Sequence, residues 1–384
     1  MKLSSSKGEF LMKDYLGKNS PIRFQFPIDG DCINKNDGEE VDGGIRIQAR
    51  VEAPTGHAVT VCGLPAKESD GVYYADVTVK SLENTLTACD LTDHTECTVK
   101  VLRLPDCVVG GYRISSDDNI LFLQDINEHR DVYRSIFENP HLALYKKAHE
   151  LYGAKVHLNL FYELDAEARA RFSPARPYFN LSMMTDQFKD EFIANSDWLK
   201  LSFHAKSEMP WRPYRDADAE TVTRDCELVH REILRFAGKE TLSACTTIHW
   251  GEATAESVKA LRALGYRTLA GYFIPGKAPV AYYAPNDLIE HIFDRDFWYD
   301  AETDVLFGRI DRVLDNGTNE INLEILRDAI KSPTRGGYIE VMIHEQYFHK
   351  DYSRYLDDYA TRVLDACRLL YENGYVGQFI GDLL

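Results

Sequence analysis

The apolar residues of this chain change their period once, at the segment Leu104-Pro105-Asp106. Before it, from about residue 21 to residue 105, short apolar runs of period two are separated by turn pairs such as Asp70-Gly71. After it, apolar strand-like runs alternate with longer helical segments towards the C-terminus. Two such patterns in succession predict an all-β unit followed by an α/β unit.

Short strands at this spacing are typical of an immunoglobulin-like β-sandwich, although the Cys, Trp, Cys set of antibody domains is missing from the sequence. We therefore assign residues 1–20 to an N-terminal extension, residues 21–105 to a small immunoglobulin-like domain and residues 106–384 to the α/β unit. The sandwich could shape the mouth of a site, hold a dimer together or bind a glycan, and its residues select none of these roles.

The α/β unit contains roughly seven strand–helix repeats, which favours a (β/α)7–8 TIM-type barrel, although periodicity alone does not exclude an open sheet. Asp218 and Thr254 are predicted to cap two of its helices, which end before Gly238 and Gly265, and residues 352–373 form the last long helix. The predicted strands are residues 112–116, 156–162, 198–203, 242–249, 267–272, 305–310 and 338–344.

Composition narrows the class of protein. Hydrophobic residues make up 44% and charged residues 27% of the 384, enough for a sizeable core. With a net charge of −17 and a pI near 5.2, we expect neither nucleic acid nor a membrane as a partner. No secretory signal or spanning run is recognisable, so a cytoplasmic location is expected. The eight cysteines lack CxxC spacing and are expected to be reduced, unless export allows a disulfide.

Polar side chains follow the predicted strands, where a barrel gathers its active site. Asp117 and Asp118 are expected where the first strand stops and a loop begins. In an extended segment they would point to opposite sides, so that one could bind a metal and the other act on water or substrate. The later candidates are His204 and Glu208 after the third strand, His249, Trp250 and Glu252 after the fourth, and His344 and Tyr347 after the last.

Four segments in chain order resemble a known family. They are Ser115-Ser116-Asp117-Asp118-Asn119, His204-Ala205-Lys206-Ser207-Glu208, Thr247-Ile248-His249-Trp250-Gly251-Glu252 with the helix ending in Gly265-Tyr266, and Ile339-Glu340-Val341-Met342-Ile343-His344. Together they resemble the motifs of the polysaccharide deacetylases of the NodB-like glycoside hydrolase/deacetylase superfamily over about residues 106–384. The resemblance implies a NodB-like barrel.

The resemblance also implies roles for individual residues. Asp118, His204 and position 208 would bind one divalent metal, Asp117 would be the general base and His344 the general acid. The chain departs from the family at two positions, since Glu208 replaces the usual second metal histidine and Thr247 replaces the base-orienting arginine. His249 is therefore a rival third ligand, in which case Glu208 would support the ligands or face the substrate.

One imidazole and two carboxylates form a relatively hard ligand set, which lets Mn or Fe compete with Zn. Trp250 could stack on a sugar face or simply fill the barrel top, and Tyr347 could line the site or pack under a helix. Glu252 is a further candidate for substrate binding.

The leading hypothesis is a metal-dependent hydrolase that uses metal-activated water, an Asp base and a His acid. It would remove an acyl group, most simply acetyl, from an amino sugar, polysaccharide or related amide, with a small molecule or oligosaccharide as substrate. A glycoside hydrolase using Asp117 with Glu208 or Glu252, and a non-catalytic carbohydrate-binding protein, are the alternatives. Homo-oligomerisation is open.

Overall fold

The computed structural model describes residues 14–172, 175–276 and 281–382. Of the extension expected over residues 1–20, residues 1–13 lie outside the described residues. The described chain is mixed α/β, with strands alone before residue 104 and strands interleaved with helices after it. No described helix combines the length and apolar character needed to cross a membrane.

The first part of the chain forms two five-stranded sheets that share one buried core. One has the order β1-β4-β8-β7 with β3 beside β4, and the other has the order β2-β10-β9-β5-β6. Pairing is antiparallel except between β2 and β10. Alternate residues of β4 are buried, as period two predicts. The strands are β1 (Arg23–Phe26), β2 (Cys32–Ile33), β3 (Glu39–Val41), β4 (Gly44–Glu52), β5 (Val59–Val61), β6 (Leu64–Pro65), β7 (Lys67–Ser69), β8 (Val72–Val79), β9 (Glu83–Asp90) and β10 (Thr95–Arg103).

The second part alternates strands and helices. Its strands are β11 (Gly111–Asn119), β12 (Val156–Phe161), β13 (Glu163–Leu164), β14 (Phe179–Asn180), β15 (Leu199–Ala205), β16 (Cys245–Thr246), β17 (Thr268–Gly271), β18 (Phe297–Asp300), β19 (Val305–Arg309), β20 (Arg312–Val313), β21 (Tyr338–His344) and β22 (Val376–Gly377). Its helices are α1 (Leu121–Glu128), α2 (Pro140–Tyr152), α3 (Ala166–Phe172), α4 (Lys189–Ala194), α5 (Ala219–Phe236), α6 (Ala255–Ala263), α7 (Asn286–Phe293), α8 (Asn319–Lys331) and α9 (Tyr359–Glu372). The Asp218 and Thr254 side chains cap α5 and α6, as predicted.

Two mainly parallel sheets position the site. The larger has the order β15-β12-β11-β21-β20, and the smaller has the order β16-β17-β19-β18 with β18 antiparallel. They meet at two seams: a parallel bridge joins Leu201 to Leu242, and the segment between β19 and β20 bonds to both sheets through Ile310 and Asp311. The carboxyl ends of strands from both sheets therefore face a common space.

Several bounds differ from the predicted ones. Of the strand expected over residues 242–249, only β16 forms, because residues 243–244 and 247–248 are irregular and a 3₁₀ turn begins at His249. The last helix starts at Tyr359 instead of residue 352, after a 3₁₀ turn and an irregular segment. The strand over residues 338–344 has the predicted bounds. All eight cysteines are free thiols.

The sandwich and the α/β part are joined by a buried junction. Cys32 and Leu102 of the sandwich lie in one apolar cluster with Phe297 and Tyr338 of the α/β part. The Trp298 indole also donates a 2.9 Å hydrogen bond to the carbonyl of Asp29. The two parts therefore bury apolar surface against each other.

Candidate functional site

Asp117 and Asp118 lie within β11, not after it as the sequence suggested. The pairing of β11 with β12 slips by one residue between Ser116 and Asn119, which is a β-bulge. Asp118 takes the left-handed backbone conformation there, with φ of 59°. A bulge changes the direction of the side chains beside it, so the expected alternation to opposite sides does not hold and both carboxylates line one cavity.

Three donor atoms converge in this cavity. His204 Nε2 lies 3.0 Å from Asp118 Oδ1 and 3.0 Å from His249 Nδ1, and His249 Nδ1 lies 3.3 Å from Asp118 Oδ1. His204 is near the end of β15, and His249 begins the 3₁₀ turn after β16. All three side chains are buried. We call these three residues the donor triangle.

The donor triangle fits a divalent metal ion. His204 Nδ1 donates to the carbonyl of Thr247, so Nε2 presents its lone pair to the other two donors. Three lone-pair atoms this close to one another are stabilised by a proton or a metal ion between them. Tetrahedral bonds of about 2.0–2.1 Å place ligand atoms roughly 3.3–3.4 Å apart, close to the observed separations. The second oxygen of Asp118 accepts a 2.6 Å hydrogen bond from Gln346, which fixes the carboxylate.

Glu208 lines the same cavity without joining the donor triangle. Among the described residues, the potential ligand atoms that lie close to one another at this site belong to Asp118, His204 and His249. The third candidate ligand is therefore His249, which the sequence analysis offered as the alternative to Glu208. Glu208 is half-buried, and burial followed by the charge of Asp118 raises its pKa to about 8. It therefore faces the cavity as a carboxyl group that holds its proton near neutral pH.

Asp117 is placed to exchange a proton. It is buried, and its Oδ1 accepts a 2.6 Å hydrogen bond from the side-chain amide of Asn159. Burial raises the pKa of Asp117, and the nearby His204 and His344 offset this only in part. The hydroxyl of Thr247 has no hydrogen-bond partner among the described residues and donates nothing to Asp117, whereas the Asn159 amide does.

His344 lies beside Asp117, because the two residues are register partners on the adjacent parallel strands β21 and β11. Its Nδ1 lies 2.6 Å from an Asp315 carboxylate oxygen, which also accepts a 3.0 Å bond from the His344 backbone amide. Burial alone would lower the pKa of His344, but Asp315 and the two site aspartates raise it well above its usual value. The surrounding carboxylates therefore favour the protonated imidazole.

The cavity above the donor triangle has a volume of about 580 Å³. Trp250 and Tyr347, two of the three residues that the sequence analysis proposed for substrate binding, line it. Glu252 is not among its lining residues: it is buried 3.3 Å from Arg212, whose guanidinium stacks over the Trp250 ring. Lining residues that the sequence did not single out include Trp211, Tyr272, Arg312, Asn316, Tyr352 and Arg354.

Three residues that support the site escaped the sequence analysis: Asn159, Asp315 and Gln346. Thr247 was named there, but not for the contact of its carbonyl with His204. Asn159 carried a usable signal, because it is the polar residue at the centre of the buried strand β12. Asp315 had a weaker one, since it follows the short strand β20. Thr247 contacts His204 through its backbone carbonyl, which every residue type has, so the sequence cannot indicate this contact.

No protein-family model matches the chain, and no curated protein matches it. Among solved structures, a peptidoglycan N-acetylglucosamine deacetylase in complex with 4-naphthalen-1-yl-N-oxidanyl-benzamide is 8% identical, with a TM-score of 0.35 over 72% of this chain and 88% of that chain. A Bordetella bronchiseptica protein assigned as a polysaccharide deacetylase involved in O-antigen biosynthesis is 11% identical, with a TM-score of 0.30 over 69% and 89%. At these TM-scores the likeness carries no weight for function.

Proposed function

We propose that this protein is a metal-dependent hydrolase that removes an acyl group, most simply acetyl, from an amino sugar, polysaccharide or related amide. The observation that carries the proposal is the donor triangle at one end of a substrate-sized cavity, with Asp117 and His344 paired on adjacent strands beside it. Amide hydrolysis needs these parts: an activated carbonyl, a base for water and an acid for the departing amine.

Asp118, His204 and His249 would hold the ion. Two imidazoles and one carboxylate suit Zn, and Mn or Fe can also be bound by such a set. The ion, when bound, would polarise a substrate carbonyl and lower the pKa of water. Asp118 and His204 are kept in position by Gln346 and by the Thr247 carbonyl, so the protein pre-arranges its ligands.

Asp117 and His344 would move the protons. The raised pKa of Asp117 increases the affinity of its carboxylate for a proton, which suits a base that accepts one from water. The protonated imidazole of His344 would give a proton to the leaving nitrogen. Asn159 and Asp315 hold the two groups in position through the contacts described above.

We also infer that the two parallel sheets form one NodB-like (β/α)7–8 barrel and that the preceding sheets form an immunoglobulin-like sandwich. The seams at Leu201 and at Ile310–Asp311 support the first inference, because they link the sheets on both sides. The shared core of two antiparallel sheets supports the second.

The test is acetate release from N-acetylated amino sugars and their oligomers by protein of known metal content. We expect Asp117→Asn to lower kcat by about 10²–10⁴-fold and His204→Ala to abolish both metal binding and activity. His129→Ala, a partly exposed histidine that does not line the cavity, is the matched control. A metal-free wild type, or variants as active as wild type, would refute the proposal.

One observation favours a second candidate, a glycoside hydrolase. Glu208, with its pKa near 8, and Asp117 share the cavity, and such a pair of carboxyl groups can serve as acid and base in glycoside cleavage. Glu252, the other partner considered from the sequence, does not line the cavity. Release of reducing sugar that resists chelators and is lost in Glu208→Gln would identify this activity.

A further inference from the structure

Two arginines line the cavity of a strongly acidic chain. Arg312 is in β20 and Arg354 lies between β21 and α9, and both side chains reach the cavity wall. The whole chain has a net charge of −17, so cationic side chains in a binding cavity are not a matter of general composition. The hydrogen-bond and ion-pair partners of the two arginines indicate whether their guanidinium groups can bind a substrate.

Arg312 is held in place by neutral groups. Its Nε donates a 2.6 Å hydrogen bond to the side-chain oxygen of Asn322, and its Nη2 donates to the carbonyl of Asn316. Its Nη1 makes no hydrogen bond with any described residue. Burial lowers the pKa of Arg312, with Tyr272 and Asp315 opposing that effect only in part. The guanidinium is therefore fixed in position and partly removed from water. Its Nη1 can still donate a hydrogen bond to a bound molecule.

The acidic residues nearest to Arg312 in sequence already have other cationic partners. Asp311 pairs with Arg309, and Asp315 pairs with His344. Within the described ranges no ion pair links Arg312 to a carboxylate. Arg312 therefore has no ion-pair partner among the described side chains, and Asp315 acts on it only from a longer distance.

Arg354 lies at the more open side of the cavity. Its side chain is exposed and contacts the hydroxyl of Tyr347, which also lines the cavity. Like Arg312, it has no carboxylate ion-pair partner in the described chain. Both arginines line the cavity, as do the aromatic side chains of Tyr272, Tyr347 and Tyr352.

We propose that the cavity takes an N-acyl substrate that also carries an anionic group, a phosphate or a carboxylate, which Arg312 binds with help from Arg354. This inference rests on the proposed deacylase function for the scissile amide. The planar guanidinium matches the oxygens of either anion, and hydrogen bonds between charged groups are the strong ones. Such a contact is expected to change affinity by about 10–100-fold.

The kinetic test compares three N-acetyl compounds: neutral N-acetylglucosamine, N-acetylglucosamine 6-phosphate and N-acetylmuramic acid. We expect kcat/KM for at least one anionic compound to exceed the neutral one at least about 10-fold, and which of the two it is identifies the anion. Arg312→Gln should reduce this ratio about 10-fold or more, and Arg312→Lys should reduce it less because the charge is kept. Arg327→Gln, on the exposed face of α8, should leave the ratio unchanged.

A binding measurement separates this inference from the proposed function and guards against misfolded variants. Calorimetric titration in an Asp117→Asn background should show tighter binding of the anionic than of the neutral compound, and Arg354→Gln, an exposed change, should weaken that preference. Preference without acetate release would refute the deacylase and retain the anion subsite. Acetate release with no preference for an anionic compound would refute the anion subsite. So would an Arg312→Gln variant in which kcat/KM falls equally for the neutral and the anionic compounds.

Discussion

A single extra residue in β11 gives the two adjacent aspartates different surroundings. At the bulge, Asp118 turns its carboxylate to His204 and His249, while Asp117 remains the register partner of His344. The left-handed conformation of Asp118 is an unusual one for a residue other than glycine, and such conformations concentrate at functional sites. The bulge therefore places the proposed metal ligand and the proposed base within one strand.

At the residue scale we predict a shift in the pH profile of Asp315→Asn. The pKa of His344 is raised, so its acid form persists to higher pH and activity should fall as pH rises through that value. Removing the Asp315 charge lowers the pKa of His344, so the alkaline limb of kcat/KM should move to lower pH by about one unit or more.

The control for this experiment is Asp328→Asn on the exposed side of α8, which should leave the limb in place. If the alkaline limb of kcat/KM in Asp315→Asn lies at the same pH as in the wild type, then His344 is not an acid whose proton is stabilised by Asp315.

Most residues of the candidate site could be named one by one, because polar residues that follow apolar strand-like runs can be recognised in the sequence. Asp117, Asp118, His204 and His344 were found in this way, and all four line the cavity. The choice between Glu208 and His249 could not be predicted. It depends on the path of the chain after β16, where a 3₁₀ turn brings the His249 ring to His204.

At the element scale, Glu345 joins the carboxyl end of β21 to the start of α1. Its buried carboxylate accepts hydrogen bonds from the backbone amides of Ile120, Leu121 and Phe122. These are among the first amides of a helix, which have no partner within the helix itself. Glu345 thus stabilises α1 and keeps the end of β11 close to His344.

We predict that Glu345→Gln lowers the free energy of unfolding by about 2–4 kcal/mol, because a neutral amide keeps the volume but loses charge-assisted bonds. Glu372→Gln, at the exposed end of α9, should change it by no more than roughly 0.5 kcal/mol. Chemical denaturation of the two variants provides the measurement. Equal stability would mean that the helix start does not depend on the Glu345 charge.

Elements were predictable where local pattern decides them. The strand β21 and the caps of α5 and α6 follow directly from apolar runs and capping residues. The prediction that a loop begins at Asp117 was wrong, because β21 pairs with β11 as far as Asp117 and β12 pairs with it again at Asn119. Pairing of this kind depends on strands distant in sequence.

At the scale of the whole molecule, the junction buries charges as well as apolar side chains. Asp31 of the sandwich lies 2.6 Å from His291 Nε2, and Arg295 forms an ion pair with Asp37. Breaking a buried ion pair costs about 3–5 kcal/mol. The two parts should therefore stabilise each other.

We predict one unfolding transition for the whole chain in scanning calorimetry. Asp31→Ala should lower its Tm without splitting it, whereas Asp76→Ala, on an exposed position of β8, should leave it unchanged. Two separate transitions in the wild type would show that the sandwich and the α/β part fold independently.

The change of period at residues 104–106 anticipated where the all-β pattern stops, since β10 ends at Arg103 and β11 begins at Gly111. The junction itself could not be anticipated. It is made from polar side chains such as Asp31 and His291 that lie far apart in the sequence and show no local pattern.

The central claim is that Asp118, His204 and His249 form a metal site, and metal content measured by mass spectrometry tests it most directly. We expect one divalent ion per chain in the wild type and in Glu208→Gln, and little or none in His249→Ala. Loss of a ligand should weaken binding at least as much as the roughly 10–100-fold typical of outer hydrogen-bond partners. An ion retained in His249→Ala but lost in Glu208→Gln, or no ion in the wild type, would contradict it.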